Sequence, residues 1–230
     1  MILLTLLFAC GSTGTWELQT WGEEFIEDGI PAEAFEDGCS VTFNRFEVGF
    51  TEAELLDAEG EAVAGIDAPL TFDLVEPGPQ LLGSFEVPAE HYDTVWMRTS
   101  GLQLTGELSC GGESVAYDWV FEAAAAYACE PENLTIASGG AAGTQLTIHG
   151  DHLFYDSLDN PDSVLRAQAL VDADGDGDGA VSMAELDAVA IATLGYDVGS
   201  FGQVTNLWDF LEAQTATLGH IDGEGHCAVR

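Results

Sequence analysis

Between Cys39 and His149 apolar residues recur at every second position, and this period is what most limits the folds open to the chain. Leu70, Phe72 and Leu74 alternate with Thr71 and Asp73, and Leu102, Leu104 and Leu108 with Gln103, Thr105 and Glu107. Val115, Tyr117, Trp119 and Phe121 fall on one face of a third run. A strand points successive side chains to opposite faces, so each run reads as a strand with one face buried. Val41 and Phe43 are out of phase with Phe46, Val48 and Phe50, which predicts a bulge near Asn44-Arg45. Turn residues separate the runs at Glu76-Pro77-Gly78-Pro79, Val87-Pro88 and Gly111-Gly112. Gly139 to Gly143 reads as a loop, because Leu146 and Ile148 resume the alternation. The expectation is an antiparallel β-sandwich or partly open barrel over residues 21–157.

Past residue 158 the period changes. Asn160 and Pro161 suit the start of a helix carrying Val164, Leu165 and Leu170 up to Asp172. A second helix is expected from Ser182 through Leu186, Val189 and Ile191 to Leu194, stopping at Gly195. A third is expected from about Thr205, with Leu207, Phe210, Leu211 and Leu218 on a stripe and Gly219 as its stop. Strands followed by helices give an α+β class, with a small helical segment over 158–230.

Charge narrows the function. The chain of 230 residues has 41 Asp and Glu, four Arg and no Lys, for a net charge of −37. Four arginines cannot assemble the basic surface that phosphate binding needs, so nucleic acid is excluded as a partner. With 47% apolar residues a core can still form inside the acidic shell. Such self-repulsion is relieved by salt or by bound divalent cations.

The stretch from Asp174 to Glu185 is a concrete place for such a cation. Asp174, Asp176 and Asp178 stand at positions 1, 3 and 5 of a twelve-residue span, Gly179 at 6, Ala180 at 7, Val181 at 8, Ser182 at 9 and Glu185 at 12. This resembles the EF-hand calcium loop. The resemblance implies side-chain oxygens from the three aspartates, a carbonyl from Ala180, a water-bridged contact from Ser182, a bidentate carboxylate from Glu185, and Val181 anchored in the core. Starting the register at Asp172 would put Gly179 at the apolar position and Met183 where the bidentate acid belongs, so only the Asp174 start fits. No second loop with this spacing occurs, and a loop without a partner points to a site that orders its own surroundings rather than to an opening switch. An unpaired loop implies an affinity on the order of 10⁻⁴ to 10⁻³ M.

Histidine supplies a second candidate. His149 and His152 flank Gly150-Asp151, and His220 and His226 lie in the tail beside Asp222, Glu224 and Cys227. If that tail folds back, the four imidazoles His149, His152, His220 and His226 converge on a site suited to copper or zinc. A metal-assisted hydrolase there would use Asp151 or Glu224 as general base on metal-bound water.

The N-terminus bears on location. Ile2 to Ala9 is an apolar run too short to span a bilayer, ending at Leu7-Phe8-Ala9-Cys10 and followed by Gly11-Ser12-Thr13-Gly14-Thr15. It resembles a bacterial lipoprotein signal, which implies a lipid on Cys10, a signal and tether over residues 1–20, and a chain anchored in the cell envelope, on the outer membrane or facing the periplasm, or secreted. The run Val87 to Val95 resembles the leucine-proline-alanine-glycine-x-tyrosine-aspartate strand entry of several bacterial lipoprotein sandwich domains. Setting Cys10 aside leaves Cys39, Cys110, Cys129 and Cys227, enough for two disulfides in an oxidising compartment. Three pairings are open, and Cys39 with Cys110 and Cys129 with Cys227 is favoured because each bridge would then close within one segment. The functional expectation is a non-enzymatic calcium-binding envelope lipoprotein, with the copper or zinc site as the alternative.

Overall fold

The computed structural model describes residues 12–122, 124–225 and 227–230. Cys10 and His226 therefore lie outside the described residues, as does the apolar run from Ile2 to Ala9.

The chain is β-rich, with two mixed sheets and few helices. Strand β1 (Thr13–Trp21) alternates buried Trp16 and Leu18 with exposed Glu17. Helix α1 (Glu23–Glu27) follows, then the long β2 (Ser40–Leu56), β3 (Ala62–Gly65), β4 (Leu70–Asp73) and β5 (Gln80–Pro88). β6 (Thr94–Cys110), β7 (Glu113–Phe121), β8 (Ala126–Cys129) and β9 (Ala141–Ile148) complete the first part. α2 (Gln168–Val171), β10 (Ala180–Val181), α3 (Met183–Ala188), α4 (Leu207–Gln214), β11 (Gly219–Ile221) and β12 (Cys227–Val229) make up the remainder. One sheet runs β11-β9-β1-β5, and the other runs β10-β7-β6-β2-β3, with β4 on β2, and β8 joining β6 to β12.

Several expectations hold in detail. β2 and β6 pair antiparallel along most of their length, and the register shifts between Phe43 and Arg45, where the phase break in the sequence placed a bulge. Val115, Tyr117, Trp119 and Phe121 are all buried along β7, and the disulfides are Cys39–Cys110 and Cys129–Cys227. Tyr92 is buried and donates its hydroxyl to the Pro88 carbonyl at 2.9 Å.

Others are corrected. The sheets are mixed rather than antiparallel: β9 runs parallel to β1, and β10 runs parallel to β7. Alternation reports which face is buried and carries no information on strand direction. The tether expected up to residue 20 is, from Thr13 onward, an inner strand between β9 and β5. Thr15, Glu17 and Gln19 alternate with Trp16 and Leu18, and the Trp16 indole donates to Thr144 Oγ1 at 3.0 Å. The 158–230 segment also contributes three short strands to the two sheets. Cys129 precedes residue 158 and Cys227 follows it, so their bridge does not close within one segment; it fastens β12 to β8 across the expected boundary.

The helix expected from Asn160 to Asp172 is cut to its last turn. Leu165 is claimed by bridges to Phe35 and Tyr155, and Arg166 reaches Asp156 at 2.9 Å. Asp37, more than a hundred residues earlier, then accepts from the Ala167 and Gln168 amides, each at 2.8 Å, and starts α2. The second helix breaks at Val189, which is extended; its carbonyl accepts from Leu207, and Ala190 bridges Asn206. The third forms as α4, with Leu207, Phe210 and Leu211 buried and the Trp208 ring stacked on Phe121 of β7 at 4.6 Å.

Candidate metal centres

The Asp174–Glu185 loop is built between α2 and α3 on the edge of a sheet. Gly177 and Gly179 take φ of +72° and +83°, a left-handed conformation that costs a residue without Cβ nothing. These turns aim successive backbone amides inward: Asp174 accepts from Gly177, Asp178 and Gly179 at 2.9 to 3.2 Å. Ser182 caps α3, and Glu185 reaches back to the Ser182 amide and hydroxyl at 2.9 and 2.8 Å, completing a capping box. Those hydrogen bonds, from the Ser182 amide first and its hydroxyl second, hold the Glu185 carboxyl below the usual carboxylate range.

Oxygens of Asp174, Asp176 and Glu185 lie within 4.8 Å of one another. Asp178 turns instead to the Ala180 amide at 2.9 Å, and Asp172 accepts from Gln168 outside the loop. Val181, at position 8, is 1% exposed and sits in β10, whose Ala180 and Val181 pair with Ala116 and Tyr117 of β7. The Trp119 indole donates to the Val181 carbonyl at 3.0 Å. The loop is thus tied through its eighth position to the edge of a β-sheet, a pairing that no spacing in the sequence announces.

The second cluster forms where β11 returns to β9. His220 pairs with Thr147 in the antiparallel ladder, and His149 follows two residues later on the same face, so the two imidazoles are diagonal neighbours. The next turn adds His152. Ring centroids are 4.3 Å apart for His149 and His220, 5.1 Å for His152 and His220, and 5.3 Å for His149 and His152. Three of the four expected histidines thus come together, and His226 lies outside the described residues.

Carboxylates surround them. Asp151 Oδ1 is 4.0 Å from His149 Nδ1, Glu23 Oε2 is 3.8 Å from His149 Nε2, and Glu224 offers an oxygen within 4.8 Å of ligating nitrogens of both His149 and His220. His152 Nδ1 meets the Thr217 carbonyl at 2.8 Å. Burial first, then the neighbouring His149 and His152, push the His220 pKa down to about 4, and burial lowers that of His152 as well, so both rings are neutral near pH 7. Burial raises the Glu23 pKa, against the opposing pull of His149.

Glu23 is the residue that sequence reasoning missed. It opens α1, directly after β1, with φ +57°, in a region that non-glycine residues seldom occupy. Only the packing of α1 over Gly150 brings it here: a Cβ on Gly150 would come within 2.7 Å of Ile26. Asp222, at φ +50°, holds the other side, accepting from the Gln145 amide at 2.8 Å.

No family model, curated protein or solved structure matches this chain.

Proposed function

We propose that the protein is a non-enzymatic calcium-binding protein of the cell envelope, in which the Asp174–Glu185 loop binds one calcium ion and thereby fastens the C-terminal segment to the sheet. The observation that carries this reading is the coincidence of ligand spacing with anchoring. The same twelve residues that gather Asp174, Asp176 and Glu185 also place Val181 in the core beside Trp119. A hard cation gathers oxygens, and a buried position 8 converts that gathering into packing. Docking of β10 on β7 as calcium orders the loop adds to the binding free energy, so the affinity should be tighter than for an isolated loop, on the order of 10⁻⁵ to 10⁻⁴ M.

The two sheets fit the layers of a sandwich. Gly219 of β11 approaches Met97 of β6 and Tyr127 of β8 so closely that a Cβ would lie 2.7 and 2.8 Å from them, and Ile148 of β9 shares an interior gap with Val48 and Leu102. Two disulfides suit an oxidising compartment. An acylated Cys10 would hold the fold close to the membrane, since β1 begins at Thr13.

The test is metal analysis of the purified chain with thermal unfolding before and after chelation. Calcium at one equivalent per chain, with a chelator-induced fall in Tm reversed by calcium and not by magnesium, supports the reading. Unfolding that is indifferent to chelator refutes it.

A further inference from the structure

We propose that His149, His152 and His220, with Glu224 as a fourth ligand, form a zinc site separate from the calcium loop. Their ligating atoms fall in two triads, each within 4.8 Å, His149 and His152 with Asp151 and His149 and His220 with Glu224, and the two share His149. With zinc to nitrogen at about 2.1 Å the ion lies about 3.2 Å from a ring centroid, so tetrahedral ligands place centroids about 5.2 Å apart. Two of the three separations, 5.1 and 5.3 Å, have that value, and the third, 4.3 Å, is shorter, so metal binding would spread His149 and His220 apart.

Backbone carbonyls hold two of the three rings as they hold the ligands of metal sites, with His149 Nε2 lying 3.4 Å from the Gly223 carbonyl. His152 Nδ1 already has the Thr217 carbonyl at 2.8 Å, which fixes its tautomer and leaves Nε2 as the ligating atom, the arrangement that outer-sphere carbonyls impose on zinc ligands. His220 Nδ1 is shut off from solvent and finds no hydrogen-bond partner among the described residues. A buried nitrogen left without a partner is costly, and a metal bond is one way to satisfy it. A shared ion would give each of the three imidazoles a common target for a lone pair. Glu23 and Asp151 stand next to His149 and would orient its ring. Glu224 also lines a groove of about 520 Å³ with Glu130, Glu132 and Asp222, whose charges attract cations to this end of the molecule. Soft thiolates are not offered, since Cys129 and Cys227 are joined to each other, so the donor set is nitrogen and oxygen, as for zinc.

The experiment uses the full chain stripped of metal, in 150 mM salt and excess calcium so that surface carboxylates and the loop are occupied. Zinc is titrated by calorimetry, and cobalt(II) is added to a second sample as a spectroscopic stand-in. One zinc per chain is expected, with the intense visible bands of tetrahedral cobalt. Affinity should fall at least a hundredfold in His149→Asn and in His220→Asn, and remain in His91→Asn and in Glu185→Gln. Glu185→Gln also separates the two readings, because it should lose calcium and keep zinc. Each histidine variant is checked for folding by its calcium titration. Pale octahedral cobalt in the parent chain, zinc affinity unchanged in His220→Asn, or uptake of copper(II) without zinc would each overturn the proposal.

Discussion

Replacing Val181 with Ala tests whether docking of β10 on the sheet edge is coupled to the proposed calcium binding. Val181 is 1% exposed, so the substitution removes buried methyl groups and leaves a cavity, a loss of about 2 kcal/mol. Where that loss appears depends on linkage. If β10 docks on β7 only when calcium orders the loop, the whole loss is subtracted from binding, and about 2 kcal/mol weakens calcium affinity by a factor of about 25 to 30. The affinity then returns toward the 10⁻⁴ to 10⁻³ M of an isolated loop. If β10 is a permanent part of the sheet, the loss falls equally on the free and bound protein and affinity does not move. The account predicts the first result: a calorimetric titration weakened more than tenfold, with a urea midpoint in chelator that matches the parent. Trp119, whose indole donates to the Val181 carbonyl, gives an independent optical reading as its emission shifts on calcium addition in the parent and less in the variant. Unchanged affinity together with an equal loss of stability in chelator and in calcium would refute the reasoning.

Removing the Cys129–Cys227 bridge with a double serine substitution should cost up to about 4.7 kcal/mol from the 98-residue separation it closes, measured by urea unfolding, and should weaken zinc binding more than calcium binding, since β12 follows directly on the turn bearing Glu224. Raising salt from 20 to 500 mM in chelator should increase Tm, because the net charge of −37 is screened, and the increment should shrink once calcium is bound. Fatty-acid labelling of cells should mark the parent and leave Cys10→Ser unmarked; equal labelling would remove the anchor from the account.

How much was legible in the sequence depended on whether the signal was local. The strands were, because alternation is written into each run: the phase break at Asn44-Arg45 gave the bulge, and the Asp174 register gave the loop. The direction and partners of strands were not, so the parallel pairing of β1 with β9 could not be read from Thr13 to Trp21. Helix boundaries failed where distant groups compete for the backbone. Asp37 sets the start of α2, and bridges to Phe35 and Tyr155 take Leu165 from the helix that Asn160 and Pro161 announce. In the histidine cluster, the clustering of residue types pointed to His149, His152 and His220, while Glu23 carried no signal, because it arrives through the packing of α1 rather than through spacing.

The central claim is that Glu185 closes a calcium site. It is tested most directly by calorimetric titration of calcium into the parent chain, Glu185→Gln and Glu212→Gln side by side. Glu212 is an exposed glutamate on α4, so its substitution changes net charge by the same unit without touching the loop. The account predicts one high-affinity calcium per chain in the parent and in Glu212→Gln, and an affinity lowered by more than about tenfold in Glu185→Gln. Calcium bound as tightly by Glu185→Gln as by the parent would contradict it.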